Sequence, residues 1–230
     1  MGNQKCVANA LAWIGTMAYG DGDYARAGAL LEESLAISRE LGDNQGIYYM
    51  LNKLGDVACF QGDFARAEAL EEESLALAKE LGDRWVMTST LQSLGWVVYA
   101  REDFERARAL QEEALKIAWE LRHTGFIADG VEYIAQLAAT QCEPARAATL
   151  FAAASVLREI AGTPMASTER ALHEQEAAPA RAALGDEAFE AAWAKGRAMI
   201  LEQAVAYALQ PVPSTLESSD LEHPGTSTGL

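Results

Sequence analysis

A six-residue phrase recurs along this chain at a fixed step of 40 residues, and that step limits the possible folds more than any other feature. The phrase joins Gly-Asp to an aromatic residue and Ala-Arg-Ala, and it weakens in the later copies. It occupies residues 22–27, 62–67, 102–107 and 142–147. Self-similarity at a period of about 20 to 50 residues is typical of a solenoid of stacked supersecondary units. The chain is therefore predicted to be a helical repeat protein.

Each repeat predicts two helices joined by a tight turn, and the second copy illustrates the pattern. Residues 47–60 carry apolar side chains at helical spacing. Gly62 is suited to end this helix because glycine takes the left-handed backbone conformation without a Cβ penalty. Asp63 is suited to cap the second helix, which should stop at Gly82. The predicted unit is helix, turn, helix and loop.

These residues resemble the tetratricopeptide repeat over about residues 7–162. That family's usual repeat has about 34 residues, and the longer step here is interpreted as a longer second helix ending in Gly-Asp. The matching positions are Leu11, Leu51, Leu91 and Val131; Ile14-Gly15, Leu54-Gly55, Leu94-Gly95 and Ile134-Ala135; Ala27, Ala67, Ala107 and Ala147; and Ser34, Ser74, Ala114 and Ala154. The resemblance implies an all-α, right-handed α-solenoid of helix-turn-helix repeats with a concave groove.

The chain divides into three predicted regions. The first comprises residues 1–162, with four repeats at about 7–43, 44–83, 84–123 and 124–162. The period is lost after Gly162. Residues 163–210 are predicted to form a helical cap, because the apolar edge of the last repeat needs to be covered. Ser167 is the predicted N-cap residue of the first helix in this region. Residues 211–230 are rich in Pro, Ser, Thr and Gly and contain no Lys or Arg, so we expect a disordered tail.

A second resemblance concerns residues 144–209, which look like the end of the helical-repeat region in LuxR-type and MalT-like ATPase-linked bacterial regulators. The segments that carry it include 145–148, 150–154, 183–185, 192–193 and 202–205. The chain has no G-x-x-x-x-G-K-[ST] phosphate loop, and nothing basic or helical is predicted after Leu209. The resemblance therefore implies, as the alternative to a scaffold, a detached sensor or effector-binding module lacking the NTPase and DNA-binding domains.

Charge and cysteine usage narrow the partners and the compartment. Lys and Arg number 18 against 34 Asp and Glu, a formal net charge of −16, and no basic stripe exists to replace the counterions of DNA. Acidic pairs such as Glu32-Glu33 repeat with the structural period and indicate a solvated outer face. Three widely spaced cysteines are typical of free thiols in a reducing compartment. We expect a cytoplasmic protein with no direct nucleic-acid or membrane partner.

Enzyme chemistry has little support in the sequence. His123, His173 and His223 are far apart, and none has a second ligand at metal-binding spacing. No G-x-S-x-G elbow is present. The carboxylate pairs repeat with the fold and therefore indicate surface. The prediction is a non-enzyme with no catalytic residues, no metal and no cofactor.

The tetratricopeptide resemblance implies a binding groove lined by the first helix of each repeat, and its register transfers to particular side chains. Amides among them can hydrogen-bond a peptide backbone, and aromatics supply contact area. The alternative is that the aromatic residues simply pack between repeats. The groove residues assigned in this way are Asn9, Tyr19, Tyr49, Asn52, Asp56, Gln92, Trp96, Tyr99, Glu132 and Gln136. The predicted partner is a protein or peptide segment, and the predicted function is a protein-interaction scaffold.

The first repeat suggests a further interface. It begins within a few residues of Met1, so no helix is expected to cover its apolar edge. The side chains predicted at this edge are Leu11, Ile14, Leu30 and Leu31. Exposed apolar patches mark interfaces, so we expect either a homodimer through this repeat or a longer parent protein.

Overall fold

The computed structural model describes residues 2–162 and 167–211, without the side chains of residues 2 and 167–174. The described residues form eleven α-helices and no strand. The helices are α1 Gly2–Gly20, α2 Tyr24–Leu41, α3 Asn44–Phe60, α4 Phe64–Leu81, α5 Arg84–Ala100, α6 Phe104–Glu120, α7 Thr124–Thr140, α8 Pro144–Ile160, α9 Ser167–Leu184, α10 Asp186–Arg197 and α11 Leu201–Ala208. The predicted cap by the Ser167 side chain and the predicted tail beyond residue 211 lie outside the described residues.

Local chemistry sets the helix ends. The Asp63 carboxylate accepts a hydrogen bond from the Arg66 backbone N–H at 3.1 Å and caps α4. Gly82 ends α4 with φ +66°, and the following Asp83 caps α5. Such caps satisfy backbone groups that a helix terminus leaves unpaired. The predicted stop and cap residues of the second repeat are confirmed.

Consecutive helices pack against each other in pairs, and each pair packs on the next. This is the arrangement of a helical-repeat solenoid, so the predicted fold class is confirmed. Small residues allow close approach within a pair. A Cβ added at Gly55 would lie 2.7 Å from Glu71 Oε1, and one added at Gly95 would lie 2.4 Å from Gln111 Nε2.

The C-terminal helices cover the last pair, α7 and α8. Phe189 of α10 and Val205 of α11 are buried in one hydrophobic core with residues of α7 and α8. Arg146 on α8 donates hydrogen bonds to the carbonyl oxygens of Ala208 and Gln210 at 2.9 and 2.7 Å. These contacts bury the apolar side of α8 that a further repeat would otherwise cover.

The outer face is exposed and acidic, as expected, but its carboxylates are paired across repeats. Arginine or lysine side chains reach glutamates of the adjoining repeat, which lie 34 residues away in sequence. The pairs are Glu32–Arg66, Glu72–Arg106, Glu73–Arg39 and Glu113–Lys79. Exposed ion pairs contribute about 0 to 1 kcal/mol each, so they align repeats more than they stabilise them.

The prediction for the edge of the first repeat is partly wrong. Leu31 is completely buried, because it packs into the core that α1, α2 and α3 share. The exposed apolar side chains lie on α1 instead, where Trp13 is 73% and Met17 65% exposed, with Ile14 beside them at 43%. Among the described residues, no helix combines the length and the apolar character needed to cross a membrane.

Candidate functional site

The inner side of the solenoid holds a cavity of about 220 Å³ at its centre. Its walls come from α3, α4, α5 and α7, so first helices of the second, third and fourth pairs converge on one space. We call it the Glu71 cavity. Its lining residues are Gly55, Asp56, Cys59, Phe60, Glu71, Ser93, Trp96, Val97 and Tyr133.

Glu71 forms the buried wall of this cavity. Its side chain is 1% exposed, and its Oε1 accepts a hydrogen bond from Asn52 Nδ2 at 3.2 Å. The same amide nitrogen donates to Ser93 Oγ at 3.2 Å, so Asn52 links α3, α4 and α5. Glu71 Oε2 is buried and has no hydrogen-bond partner among the described residues.

The electrostatic environment of the cavity is negative. Burial, together with the Asp56 charge, raises the pKa of Glu71 well above its ordinary value. Burial also raises the pKa of the Cys59 thiol to about 11, with Asp56 and Glu71 adding to the shift. Cys59 is therefore a neutral thiol at pH 7 and a poor nucleophile. Burial and nearby carboxylates raise the pKa of Tyr133 to about 12.

The mouth of the cavity is aromatic and partly charged. Trp96 is 41% exposed and borders both this cavity and a smaller recess beside it. The exposed Phe60 ring stacks on Tyr24 at 5.2 Å and meets Tyr19 edge-on at 5.5 Å. Asp56 Oδ2 forms an ion pair with Lys53 Nζ at 2.7 Å. An apolar body with few polar groups is typical of a binding site for part of a ligand.

The smaller recess brings together Trp96, Tyr99, Tyr133 and Gln136 from α5 and α7. The Tyr99 hydroxyl forms a hydrogen bond of 2.8 Å with Thr140 Oγ1. Gln136 Nε2 donates to Glu176 Oε2 of α9 at 3.1 Å. The polar ends of Tyr99 and Gln136 are thus held by neighbours, which fixes the position of each side chain in the recess.

Two sequence-assigned groove residues lie near the other end of the solenoid. Asn9 and Tyr49 border a separate cavity of about 390 Å³ between α1 and α3, together with Trp13 and Lys5. Lys5 Nζ forms an ion pair with Asp43 there at 2.9 Å.

The structure gives two more assigned residues a different environment. Gln92 is 5% exposed, and its Nε2 donates to the backbone oxygen of Phe126 at 2.9 Å. This side chain links α5 to α7 and does not line either central cavity. Glu132 accepts hydrogen bonds from Arg158, at 2.8 Å for Nε, and Arg158 also pairs with Asp129 at 2.8 Å.

No cluster of three or more His, Cys, Asp or Glu side chains could hold a metal ion within the part of the chain that the structure describes. The chemistry of the Glu71 cavity is instead that of hydrogen-bond acceptors beside aromatic rings.

Comparison with known proteins gives a family match over the first repeats of the chain. A sequence profile described as tetratricopeptide repeat matches residues 6–80 and 47–118. The match supports a tetratricopeptide-repeat protein. Such repeats generally mediate protein–protein interaction and are typically non-catalytic scaffolds. No curated protein matches the chain.

A solved structure shows the same fold as this chain. The crystal structure of BtubC (BKLC) from P. vanneervenii superposes with a TM-score of 0.69 at 18% sequence identity. The match covers 99% of this chain and 87% of the other. At that identity the likeness concerns the fold alone. Neither comparison bears on the resemblance to ATPase-linked regulators, which stays a hypothesis from sequence.

Sequence reasoning missed Glu71 and Tyr133, which line the Glu71 cavity. Glu71 stands within a run of three glutamates and looks like part of the exposed acidic face. A usable signal lies in the 40-residue register, because the equivalent positions hold Leu31, Gln111 and Phe151, which are uncharged. Tyr133 follows the aligned groove position by one residue, and the packing of α7 beside α5 brings it to the cavity.

Proposed function

We propose that this protein is a non-catalytic interaction scaffold that binds a peptide or protein segment along the inner side of its repeats. The observation that supports the proposal is the half-exposed Trp96, which borders the Glu71 cavity and the recess beside it, both built from helices between α3 and α7. A segment lying across these helices would contact Trp96 and place a side chain in the Glu71 cavity, because the recess beside it, at about 10 Å³, has room for no more than a water molecule. Tryptophan in such a position contributes a large share of binding energy at protein interfaces.

The fixed side chains around Trp96 favour binding without a large rearrangement. Tyr99, Asn52 and Gln136 are held by hydrogen bonds to neighbouring helices. A surface that is already ordered loses little conformational entropy when a partner binds. The groove therefore offers preformed contact area, with specificity set by the chemistry of its cavities.

A peptide-display selection on the intact protein tests the proposal. Peptides enriched on wild-type protein should bind a Trp96→Ala variant at least tenfold more weakly, because the substitution removes the shared wall of the two cavities. Trp85→Ala is the matched control, since Trp85 is an exposed tryptophan on the same helix that borders neither cavity. Equal affinity for wild type and Trp96→Ala, or no enrichment at all, would contradict a groove-binding function.

Two narrower proposals accompany the scaffold function. We place the protein in the cytoplasm, because its cysteines are free within the described residues. We propose no direct nucleic-acid partner, because the net charge is −16.

The sequence likeness of residues 144–209 supports the alternative function, an effector-binding module of an ATPase-linked regulator. A phosphate-loop ATPase encoded beside this chain would favour that alternative, and an unrelated neighbour would weaken it.

A homodimer is proposed through the exposed face of α1. Trp13, Ile14 and Met17 form this apolar face. Light scattering of wild-type protein and of a variant with charges on this face measures whether the dimer forms.

A further inference from the structure

Position 71 departs from its repeat equivalents in carrying an ionisable side chain, although Gln111 Oε1 likewise lacks a hydrogen-bond partner among the described residues. The equivalent residues Leu31, Gln111 and Phe151 are all buried and uncharged. At position 71 a carboxylic acid occupies the site, and its Oε2 has no hydrogen-bond partner among the described residues. A buried polar group that is left unpaired is destabilising. A residue that breaks a local rule at a cavity points to a function that depends on it.

We propose that the Glu71 cavity binds the ammonium group of a lysine side chain from the segment that occupies the groove. This inference rests on the proposed scaffold function and assigns the chemistry of one of its subsites. The acidic acceptors of the cavity are the unpaired Oε2 of Glu71 and the carboxylate of Asp56. A lysine ammonium carries three donors and no acceptor, so it can supply the missing partner of Glu71.

The walls of the cavity suit the rest of a lysine side chain. Phe60, Trp96, Val97 and Tyr133 offer aromatic and apolar surface to a four-carbon stem. An ammonium held over an aromatic face is attracted by the negative face of the ring, and the attraction is stronger where water is excluded. Lysine is favoured over arginine because its charge is a compact point on a flexible stem, whereas the guanidinium is a planar fork with five donors.

Charge complementarity supports a cation as the occupant. The chain has a net charge of −16. Carboxylates raise the pKa values of several neutral side chains facing the groove, after burial as the main cause: Asp56 acts on Tyr19, and Asp56 and Glu71 act on Cys59. A negative potential that disfavours thiolate and phenolate favours an ammonium at the same place.

Binding should also move a proton. The charged and titratable groups facing Glu71 are Lys53, Asp56 and Cys59 on α3 and Tyr133 on α7. The pKa values of Cys59 and Tyr133, about 11 and 12, lie far above neutrality, and Lys53 and Asp56 already form an ion pair. Glu71 is therefore the group expected to lose its proton when an ammonium arrives, since an adjacent cation favours the carboxylate.

The test compares two peptide pools that differ in one side chain. In one pool a central lysine is flanked by randomised positions, and in the other norleucine replaces it, which keeps the stem and removes the charge. We expect the lysine pool to bind wild-type protein at least tenfold more tightly, and the preference to fall below twofold in Glu71→Gln. Glu80→Gln is the control, because it makes the same change at an exposed position of the same helix.

We expect Glu71→Gln to fold, because the equivalent positions of the other repeats already hold uncharged residues. Glutamine is the residue at the equivalent position 111, and Glu71→Leu, which places at position 71 the residue type of Leu31, provides a second variant without the acid. Calorimetry of the tightest lysine peptide in buffers of different ionisation heat should show proton release by wild type and none by Glu71→Gln. A merely structural role for Glu71 would leave this release unchanged.

Each outcome of the pool experiment has a distinct meaning. Equal binding of both pools by wild type would overturn the lysine subsite and leave the scaffold function standing. Binding of neither pool would count against the scaffold function itself. If n-butylammonium alone binds as tightly as the lysine pool, the cavity recognises a free amine and the assignment to a partner segment is wrong.

Discussion

Glu71 is a single residue whose burial makes protein stability depend on pH. Its folded-state pKa is raised by burial and by Asp56, so the neutral acid is the form that folding favours. That stability is fully present below the ordinary pKa of a glutamate and is lost as the pH rises through the raised folded-state value. Each unit by which the folded-state pKa of Glu71 is raised lowers the free energy of unfolding by about 1.4 kcal/mol once the carboxyl group is ionised.

We therefore expect Glu71→Gln to become increasingly more stable than wild type as the pH rises above the ordinary pKa of a glutamate. Urea unfolding followed by circular dichroism at several pH values measures this difference. Glu80→Gln, at an exposed site, should leave the pH dependence nearly unchanged. A constant difference between Glu71→Gln and wild type as the pH rises would contradict a raised pKa.

The turn within each repeat holds one residue in the left-handed backbone conformation. Gly22 and Gly62 adopt φ values of +80° and +76°, and at the equivalent positions Glu102 and Cys142 adopt +64° and +61°. The left-handed conformation costs a residue with a Cβ about 1 to 2 kcal/mol. Cys142→Gly should therefore raise the free energy of unfolding by about 1 kcal/mol.

The reverse change supplies the control for the turn. Gly62→Ala should lower the free energy of unfolding by about the same amount, and no atom beyond its chain neighbours lies near enough for a Cβ clash. Both variants can be measured by thermal or urea unfolding. If Cys142→Gly proved destabilising, side-chain contacts of Cys142 would outweigh its backbone conformation.

At the scale of helices, one glycine controls how the C-terminal cover packs on the repeats. A Cβ at Gly196 of α10 would lie 2.0 Å from the Thr149 oxygen and 2.8 Å from Ala152 Cβ on α8. Gly196→Ala should therefore separate α10 from α8 and cost about 1 to 3 kcal/mol or more. Compared with wild type, amide hydrogen exchange in Gly196→Ala should speed up more in α10 and α11 than in α1 to α6.

Gly28 provides a matched substitution with the opposite sign. It lies inside α2, and a Cβ there would meet Val57 Cγ1 at 3.7 Å, an ordinary contact. Because alanine is a better helix former than glycine, Gly28→Ala should stabilise the protein by about 1 kcal/mol. A similar loss of stability in both variants would indicate that backbone approach at Gly196 is not the cause.

For the molecule as a whole, the proposed homodimer depends on the exposed face of α1. Trp13→Glu combined with Met17→Glu should convert the dimer to a monomer, because charges replace the apolar contact area. Light scattering at micromolar concentration measures the mass. Ile160→Glu is the control, since Ile160 is equally exposed on α8 and outside this face. A wild-type monomer would contradict the dimer.

The sequence by itself determined the helices and their order. A cap such as Asp63 or a stop such as Gly82 acts within a few residues, and the 40-residue step repeats the same local unit, so both are visible in one dimension. Register also placed Asp56 and Trp96 at the inner side, where they line the Glu71 cavity.

Only the tertiary structure decided which side chains meet in the centre. Tyr133 of α7 reaches the same cavity as Asp56 of α3 because the helix pairs stack on one another, and contacts between stacked repeats are not encoded in any single segment. Gln92 and Asn52 occupy equivalent positions, yet one bonds the Phe126 backbone and the other bonds Glu71. Burial of Glu71, and with it the acidity of the groove, follows from contacts between helices and not from the residue's place in an acidic run.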